Sequence, residues 1–529
     1  MTNSVDVLVV GGGAAGLTAA AYCAKAGWHT LLLERASHTG GLVGSFEREG
    51  FTFDAGIRAL EDSGVIAPML RSLGIDLPLV RNPVSVGIAD RWVRLENHAS
   101  LKDYANLYKS FFPDNVADID AIMAEVEQVM GYMDVLYGIE NPLFLESELK
   151  DPQYLTKTLL PWLMKYSVNM KKADRLDEPV RTYLKKFTAS EELIDMICQH
   201  FFAETPTFFA LSYFGLYLDY RYPLGGTGAL PNKLEAAIHA KGGEVVTGAA
   251  VVEIDSSART ARLADGQTVS YRTLIWAADQ RSLYCALKQP LPQKALRQKD
   301  LAEHSHGIDS ILTLYLATNL PPERVQSVCG AHGFYTPNTT GLGKLPVWQS
   351  LRCEGGAAIR DWVVSYLETT TYEISVPVLR DASLAPEGQS GLVVSTLFDY
   401  SLTKWFADAG EYDAFKQLAS DTMLRVLGDT IFPGLQDSVR FSLCSTPMTI
   451  ERETGNLEGA ITGWANTNRP VPAVHRFGAI KHSVETPVPN VLQCGMWTFS
   501  PAGLPVSIIT GKLAADAASA SLKRRKGGA

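Results

Sequence analysis

The chain has 529 residues, more than a single hydrophobic core normally serves, so two to four structural units are expected. Apolar residues make up 46% and charged residues 20%, the balance of a soluble globular protein, and a net charge of −9 with pI about 5.7 argues against a basic nucleic-acid-binding surface. Seven cysteines (Cys23, Cys198, Cys285, Cys329, Cys353, Cys444 and Cys494) are odd in number and never spaced C-x-x-C, which argues against a disulfide frame or zinc site and for a reducing compartment.

Val5 and the residues 7–10 form a short β-branched run bounded by Gly11-Gly12-Gly13, the pattern of a strand buried on both faces. Residues 14–26 read as an alanine-rich helix ending near Gly27, and residues 30–33 as a second strand closed by Glu34. The uncharged stretch 7–24 approaches the length of a short membrane span, but its glycines split it and no Lys or Arg precedes it. Neither a cleaved signal nor a transmembrane helix is expected, and the expected location is cytoplasmic, with peripheral contact at a membrane surface left open.

The spacing Gly11-x-Gly13-x-x-Gly16, with Glu34 eighteen residues beyond, assigns each position a physical task. Gly11 permits a tight turn, Gly13 lets a pyrophosphate approach the backbone, and Gly16 lets helix and strand pack closely. The helix start at Ala14 and Ala15 offers amide hydrogens and a partial positive charge to phosphates. Glu34 accepts ribose hydroxyls and repels a 2′-phosphate, which disfavours NADP. Only one full fingerprint is present, so a second nicotinamide domain is not expected.

After Glu34-Arg35 come Gly40, Gly41 and Ser45, then Phe53-Asp54-Ala55-Gly56. These segments resemble the FAD proteins of the phytoene desaturase, carotenoid isomerase and retinol saturase family within the amine oxidase-like superfamily. The resemblance continues at Pro223-Leu224-Gly225-Gly226-Thr227-Gly228, at Ser445-Thr446-Pro447-Met448-Thr449, and at Gly495-Met496-Trp497 leading to Pro501-Ala502-Gly503-Leu504. It implies FAD contacts from Gly40, Gly41, Ser45, Asp54, Gly56, Val251 (at the adenine), Gly495, Met496, Gly503 and Leu504, together with Arg35. Met496 departs from the Gly-Asp of many members, so the contact there is backbone, water-mediated or missing.

Residues 119–133 carry Ile119, Ile122, Met123, Val126, Met130 and Met133 at spacings of three and four, an amphipathic helix. Residues 201–222 are unusually aromatic and read either as helical core or as the wall of an apolar tunnel. Residues 311–316, 361–368 and 392–397 read as strands of a second sheet. The basic run Lys523, Arg524, Arg525, Lys526 reads as a frayed, solvated tail.

The expected fold is α/β: a doubly wound, Rossmann-type FAD-binding domain made of residues 1–90, 221–300 and 481–529. A helical substrate- and membrane-facing region (91–220) and an α+β substrate domain (301–480) are inserted in it. The resemblance implies an oxidoreductase acting on a polyene or isoprenoid lipid by desaturation, saturation or isomerisation. An amine-oxidase-like enzyme on a small polar substrate and a non-catalytic FAD-binding partner protein remain alternatives. Catalytic candidates are weak: Tyr220, Arg221, Tyr222 and Trp497, with His200 and His482 behind them. No metal site is expected, and the oligomeric state is undetermined.

Overall fold

The computed structural model describes residues 4–526. Strand Ser4–Val10, helix Ala14–Lys25 and strand Thr30–Leu33 open the chain as expected, and the helix stops where Gly27 takes φ +79°. Ser4–Val10 pairs in parallel with Thr30–Leu33 on one side and Thr268–Trp276 on the other. Glu244–Val246 extends the sheet beyond Thr30–Leu33, and Val491–Gln493 runs parallel to the end of Thr268–Trp276. Three distant stretches of sequence thus build one parallel sheet, which forces crossovers onto its faces.

The alternation along Ser4–Val10 decides which face each residue serves. Val7 and Val9 pack under Ala14–Lys25 and the C-terminal helix Leu504–Lys526, while Val5, Leu8 and Val10 pack against Ile254, Leu263 and Tyr284 on the other side. The small side chains of the two helices let their backbones come close: a Cβ on Gly511 would lie 2.5 Å from the Ala15 carbonyl oxygen.

A second, seven-stranded sheet runs in the order Val439–Ser445, Ser310–Thr318, Ser390–Phe398, Tyr372–Ser375, His332–Thr336, Val84–Ile88, Arg91–Leu95. It is antiparallel except where His332–Thr336 meets Val84–Ile88. Phe51 and Phe53 of strand Phe51–Asp54 pack with Tyr315 and Val393 of this sheet and so dock it on the parallel-sheet unit. Residues 361–368 are not a strand: they lie in helix Gly356–Thr369, whose fully buried Ile359, Val363 and Leu367 recur every four residues. The paired valines suggested a strand, but the burial period is helical. The hairpin Val84–Ile88/Arg91–Leu95 also crosses the expected boundary at residue 90, because its strand joins the second sheet.

Between these units lie helices Ser100–Phe111, Val116–Leu136, Leu160–Ala173 and Thr207–Asp219. Ile119, Ile122, Met123, Val126, Met130 and Met133 do face their shared core. Helix Leu504–Lys526 continues through Lys523 and Arg524, so these two residues are helical rather than a frayed tail; residues 527–529 lie outside the described part. Among the described residues no helix is long and apolar enough to cross a membrane.

Candidate cofactor and substrate site

The fingerprint glycines meet at the tip of the parallel sheet. Gly11 takes φ +107°, and a Cβ on Gly16 would lie 1.9 Å from the Gly11 oxygen, so any side chain there would break the turn. Around Gly13 the opposite holds: no atom lies within 4 Å of where its Cβ would be. That open space is a groove at a helix N-terminus. The first amide bonded back along the chain is that of Leu17, to the Gly13 oxygen (2.9 Å), so the amides of Ala14, Ala15 and Gly16 precede the helical ladder.

Other segments close in on the same groove. Gly41 (φ +54°) faces the Gly13 Cα, and Gly495 (φ +102°) faces Ala15 while its amide donates to Thr510 Oγ1 at 2.9 Å. Glu34 is fixed by two amides, Gly12 to Oε2 (2.6 Å) and Ala36 to Oε1 (2.7 Å). The Ala249 amide bonds the Glu34 oxygen, which brings the start of strand Val251–Asp255 alongside. A dinucleotide fits this cradle: its pyrophosphate would run past Gly13 and Gly41 to the helix amides, with one ribose at Glu34 and its base towards Val251.

Asp54 does different work from a direct ligand. Its carboxylate is fully buried and accepts from Tyr222 Oη (2.7 Å), the Thr227 amide (2.8 Å), Thr227 Oγ1 (2.9 Å) and Ser45 Oγ (3.0 Å). Ser45 Oγ in turn accepts from the Gly228 amide (2.9 Å). A Cβ on Gly56 would sit 2.0 Å from the Leu42 oxygen. Asp54, Ser45 and Gly56 therefore clamp the Gly40–Gly41 loop to the 222–228 turn.

Several sequence candidates resolve into packing roles. Tyr222 is fully buried, bonded to Asp54, with the Arg380 guanidinium 3.8 Å from its ring centroid. Trp497 is enclosed against Trp464 at 4.9 Å, and Met496 packs on the same apolar cluster. Arg35 reaches away from the groove: Nη2 donates to the Arg452 (3.0 Å) and Glu453 (3.3 Å) carbonyls and so caps helix Pro447–Thr454. Arg221 Nη1 turns to nearby backbone carbonyls. His200 lies among Tyr104, Tyr108 and Phe334 with its pKa lowered to about 4 by burial, and His482 is exposed beside Glu485. Gly503 and Leu504 stand at the start of the C-terminal helix as expected.

Of the candidates, Tyr220 is the one stacked directly on His332, in a wall built from several elements that His200 also touches through Phe334. Its ring stacks on His332 (5.6 Å) and meets Tyr217 edge-on (5.8 Å), which leads to Tyr213 and Phe334. His332 Nδ1 faces Asn82 Nδ2 (3.0 Å), and its Nε2 faces Glu373 Oε1 (2.9 Å). Arg380 donates to Asn82 Oδ1, which leaves the Asn82 amide to donate to His332 and His332 Nε2–H to donate to Glu373. Burial lowers the His332 pKa against the pull of Glu373. Burial opposes ionisation of Glu373, but His332, Arg58 and Arg380 outweigh it and its pKa is lowered. Opposite Tyr220 stands Glu61, whose pKa is raised to about 7, chiefly by burial and then by Asp219. Sequence reasoning missed Glu61, His332 and Glu373, which sit in no motif; only the aromatic run 201–222 hinted at a wall.

A glycine-lined groove on a parallel sheet, with a second sheet docked beside it, is the architecture of a flavin-containing oxidoreductase. The chain belongs to the family described as flavin containing amine oxidoreductase, whose model matches residues 14–519. It is 24% identical to prolycopene isomerase 1, chloroplastic, of an Oncidium hybrid cultivar, over 92% of this chain and 79% of that protein. It is 21% identical to all-trans-retinol 13,14-reductase of Danio rerio, over 93% of this chain and 82% of that protein. Solved structures share the fold: an oxidoreductase from Methanosarcina mazei (TM-score 0.61, 15% identity, 97% of this chain and 100% of that one) and cyclohexylamine oxidase from Brevibacterium oxydans (0.60, 13%, 98% and 99%).

Proposed function

We propose that this protein is an FAD-dependent oxidoreductase that desaturates, saturates or isomerises C=C bonds of an apolar polyene or isoprenoid lipid. Its flavin supplies hydride exchange. The chain's own residues bind the cofactor through Gly11, Gly13, Ala14, Ala15, Gly16, Glu34, Gly40, Gly41, Val251, Gly495, Gly503 and Leu504, and hold a nonpolar chain against an aromatic wall. The observations that support the reading are the aromatic wall and the exposed apolar face of helix Leu160–Ala173. Burying each CH₂ contributes roughly 0.8 kcal/mol, so a long hydrocarbon needs few polar contacts. The names of curated relatives, an isomerase of prolycopene and a reductase of retinol, support the same substrate class.

Helix Leu160–Ala173 gives that substrate a route from a bilayer. Leu160, Leu163, Met164 and Val168 fall at helical spacing on one face, with Leu160 56%, Met164 68% and Val168 56% exposed. From residue 152 to 173 the chain carries Lys157, Lys165, Lys171 and Lys172 and no acid, in a protein of net charge −9. This combination suits the surface of an anionic bilayer.

A polyene panel incubated with protein, FAD and liposomes tests the reading. A red shift marks desaturation, lost conjugation marks saturation, and altered fine structure at constant mass marks isomerisation; an unchanged panel with flavin bound sinks it. Vesicle flotation tests the helix face: Leu163→Glu with Met164→Glu should abolish binding to anionic vesicles. One observation favours a second reading, because carboxylates beside a tyrosine wall also suit a small cationic amine. Rapid anaerobic bleaching of the flavin by an amine would select that alternative.

A further inference from the structure

We propose that Glu61 is the acid–base group beside the tyrosine wall, exchanging a proton with the substrate, while Glu373 stays a fixed anion. The inference rests on the proposed flavin chemistry and adds the group that handles its proton.

The geometry comes from strand pairing. Glu61 lies directly opposite Tyr220 in an antiparallel ladder, so the two side chains share one face. Its Oε2 is 4.0 Å from the point where a side chain on Gly503 would begin, at the entry of helix Leu504–Lys526. This places the carboxyl between the aromatic wall and the segment assigned to the flavin. Glu61 is half-buried. Among the described residues it makes no side-chain hydrogen bond and no salt bridge, so its oxygens remain available to a ligand.

The charged and titratable groups around it act in one direction. Asp219 is a like charge close by; Tyr137, Tyr213, Tyr217 and Tyr220 all feel the Glu61 charge and stay neutral. Arg221 lies opposite Leu60 on the paired strand and acts on Asp219, which also feels Asp62. Glu373 acts on Tyr213, Tyr217 and Tyr220 as well, and is held ionised by His332. Two carboxyl groups whose surroundings drive them to opposite protonation states divide the roles of acid and anion between them.

In the saturating direction a reduced flavin held at the glycine groove would supply a hydride, and with it the two electrons that reduce the substrate, to one carbon of the double bond. Glu61 would give its proton to the neighbouring carbon, where the π pair forms the new C–H bond; its O–H bond breaks and it is left as carboxylate. Desaturation reverses each transfer.

The experiment uses the FAD-loaded protein. Infrared spectra across pH should show the C=O stretch of a protonated carboxylic acid that disappears with a midpoint near pH 7, is missing in Glu61→Gln, and shifts to lower pH in Asp219→Asn. Turnover of the responsive polyene should fall about 100-fold in Glu61→Gln with little change in KM, and recover partly in Glu61→Asp. Absence of the band in the wild type above pH 5, or Glu61→Gln turnover within threefold of wild type, overturns the inference. The infrared readout needs no substrate. A wild-type protein that shows the band but converts no polyene breaks the functional reading, whereas absence of the band overturns the Glu61 assignment whatever is converted.

Discussion

The cofactor groove and the cavity wall beside it are made from different material. The groove consists of glycines and backbone amides at the tip of the parallel sheet, while the wall draws side chains from five elements: Glu61, Tyr213 and Tyr217, Tyr220, His332 and Phe334, and Glu373. Backbone sites are set by where a Cβ does not fit, so their tolerance for substitution is low and their ligand is shared widely within the family. Side-chain sites tolerate exchange, which is how one fold serves both the polyene-named relatives and the amine-named structures that this chain resembles.

That contrast makes measurable demands. The largest effect is expected from Gly16→Ala, since the new methyl would sit on the Gly11 carbonyl; a loss of about 3 kcal/mol or more, with loss of bound flavin, is expected from urea unfolding and flavin quantitation. Retained flavin at native stability would show the groove to be softer than its geometry says. Asp54→Ala should cost about 3 kcal/mol, because four donors lose one buried acceptor. A loss confined to flavin affinity, with unfolding unchanged, would instead make Asp54 a ligand.

The wall responds to pH rather than to shape. Glu61 has a folded pKa of about 7 against an ordinary 4.5, so the folded state binds its proton more tightly than the unfolded chain. Its stabilising contribution is full below about pH 4.5 and is lost as pH rises through 7, about 3 kcal/mol. Glu61→Gln should therefore flatten this part of the stability curve between pH 5 and 8; an unchanged curve would show that the carboxyl is not desolvated. The smallest effect belongs to Arg35→Ala, about 0.5 kcal/mol from an exposed helix cap, with flavin binding unaltered. A marked drop in flavin affinity would return Arg35 to the groove.

The same contrast explains what could be read from residues alone. Gly11, Gly13, Gly16 and Glu34 act within one local βαβ unit, so their spacing carries their geometry, and the later glycine segments could be placed by resemblance. The partners of Arg35 and Tyr222 lie more than 150 positions away in the chain, beyond the reach of any local motif. Glu61 and Glu373 had no local signature because their chemistry arises only when two sheets and a helix pair enclose them. Residues 361–368 misread for a simpler reason: a burial period of four was hidden under β-branched composition.

The close approach of Gly511 to Ala15 has a consequence for synthesis. The helix that opens the dinucleotide unit is covered by one emerging from the ribosome almost five hundred residues later. Until then Leu17, Cys23 and their neighbours, which end up buried beneath it, stay uncovered. A nascent chain in this state offers a chaperone its apolar helix face, and the glycine groove matures only after helix Leu504–Lys526 has been made.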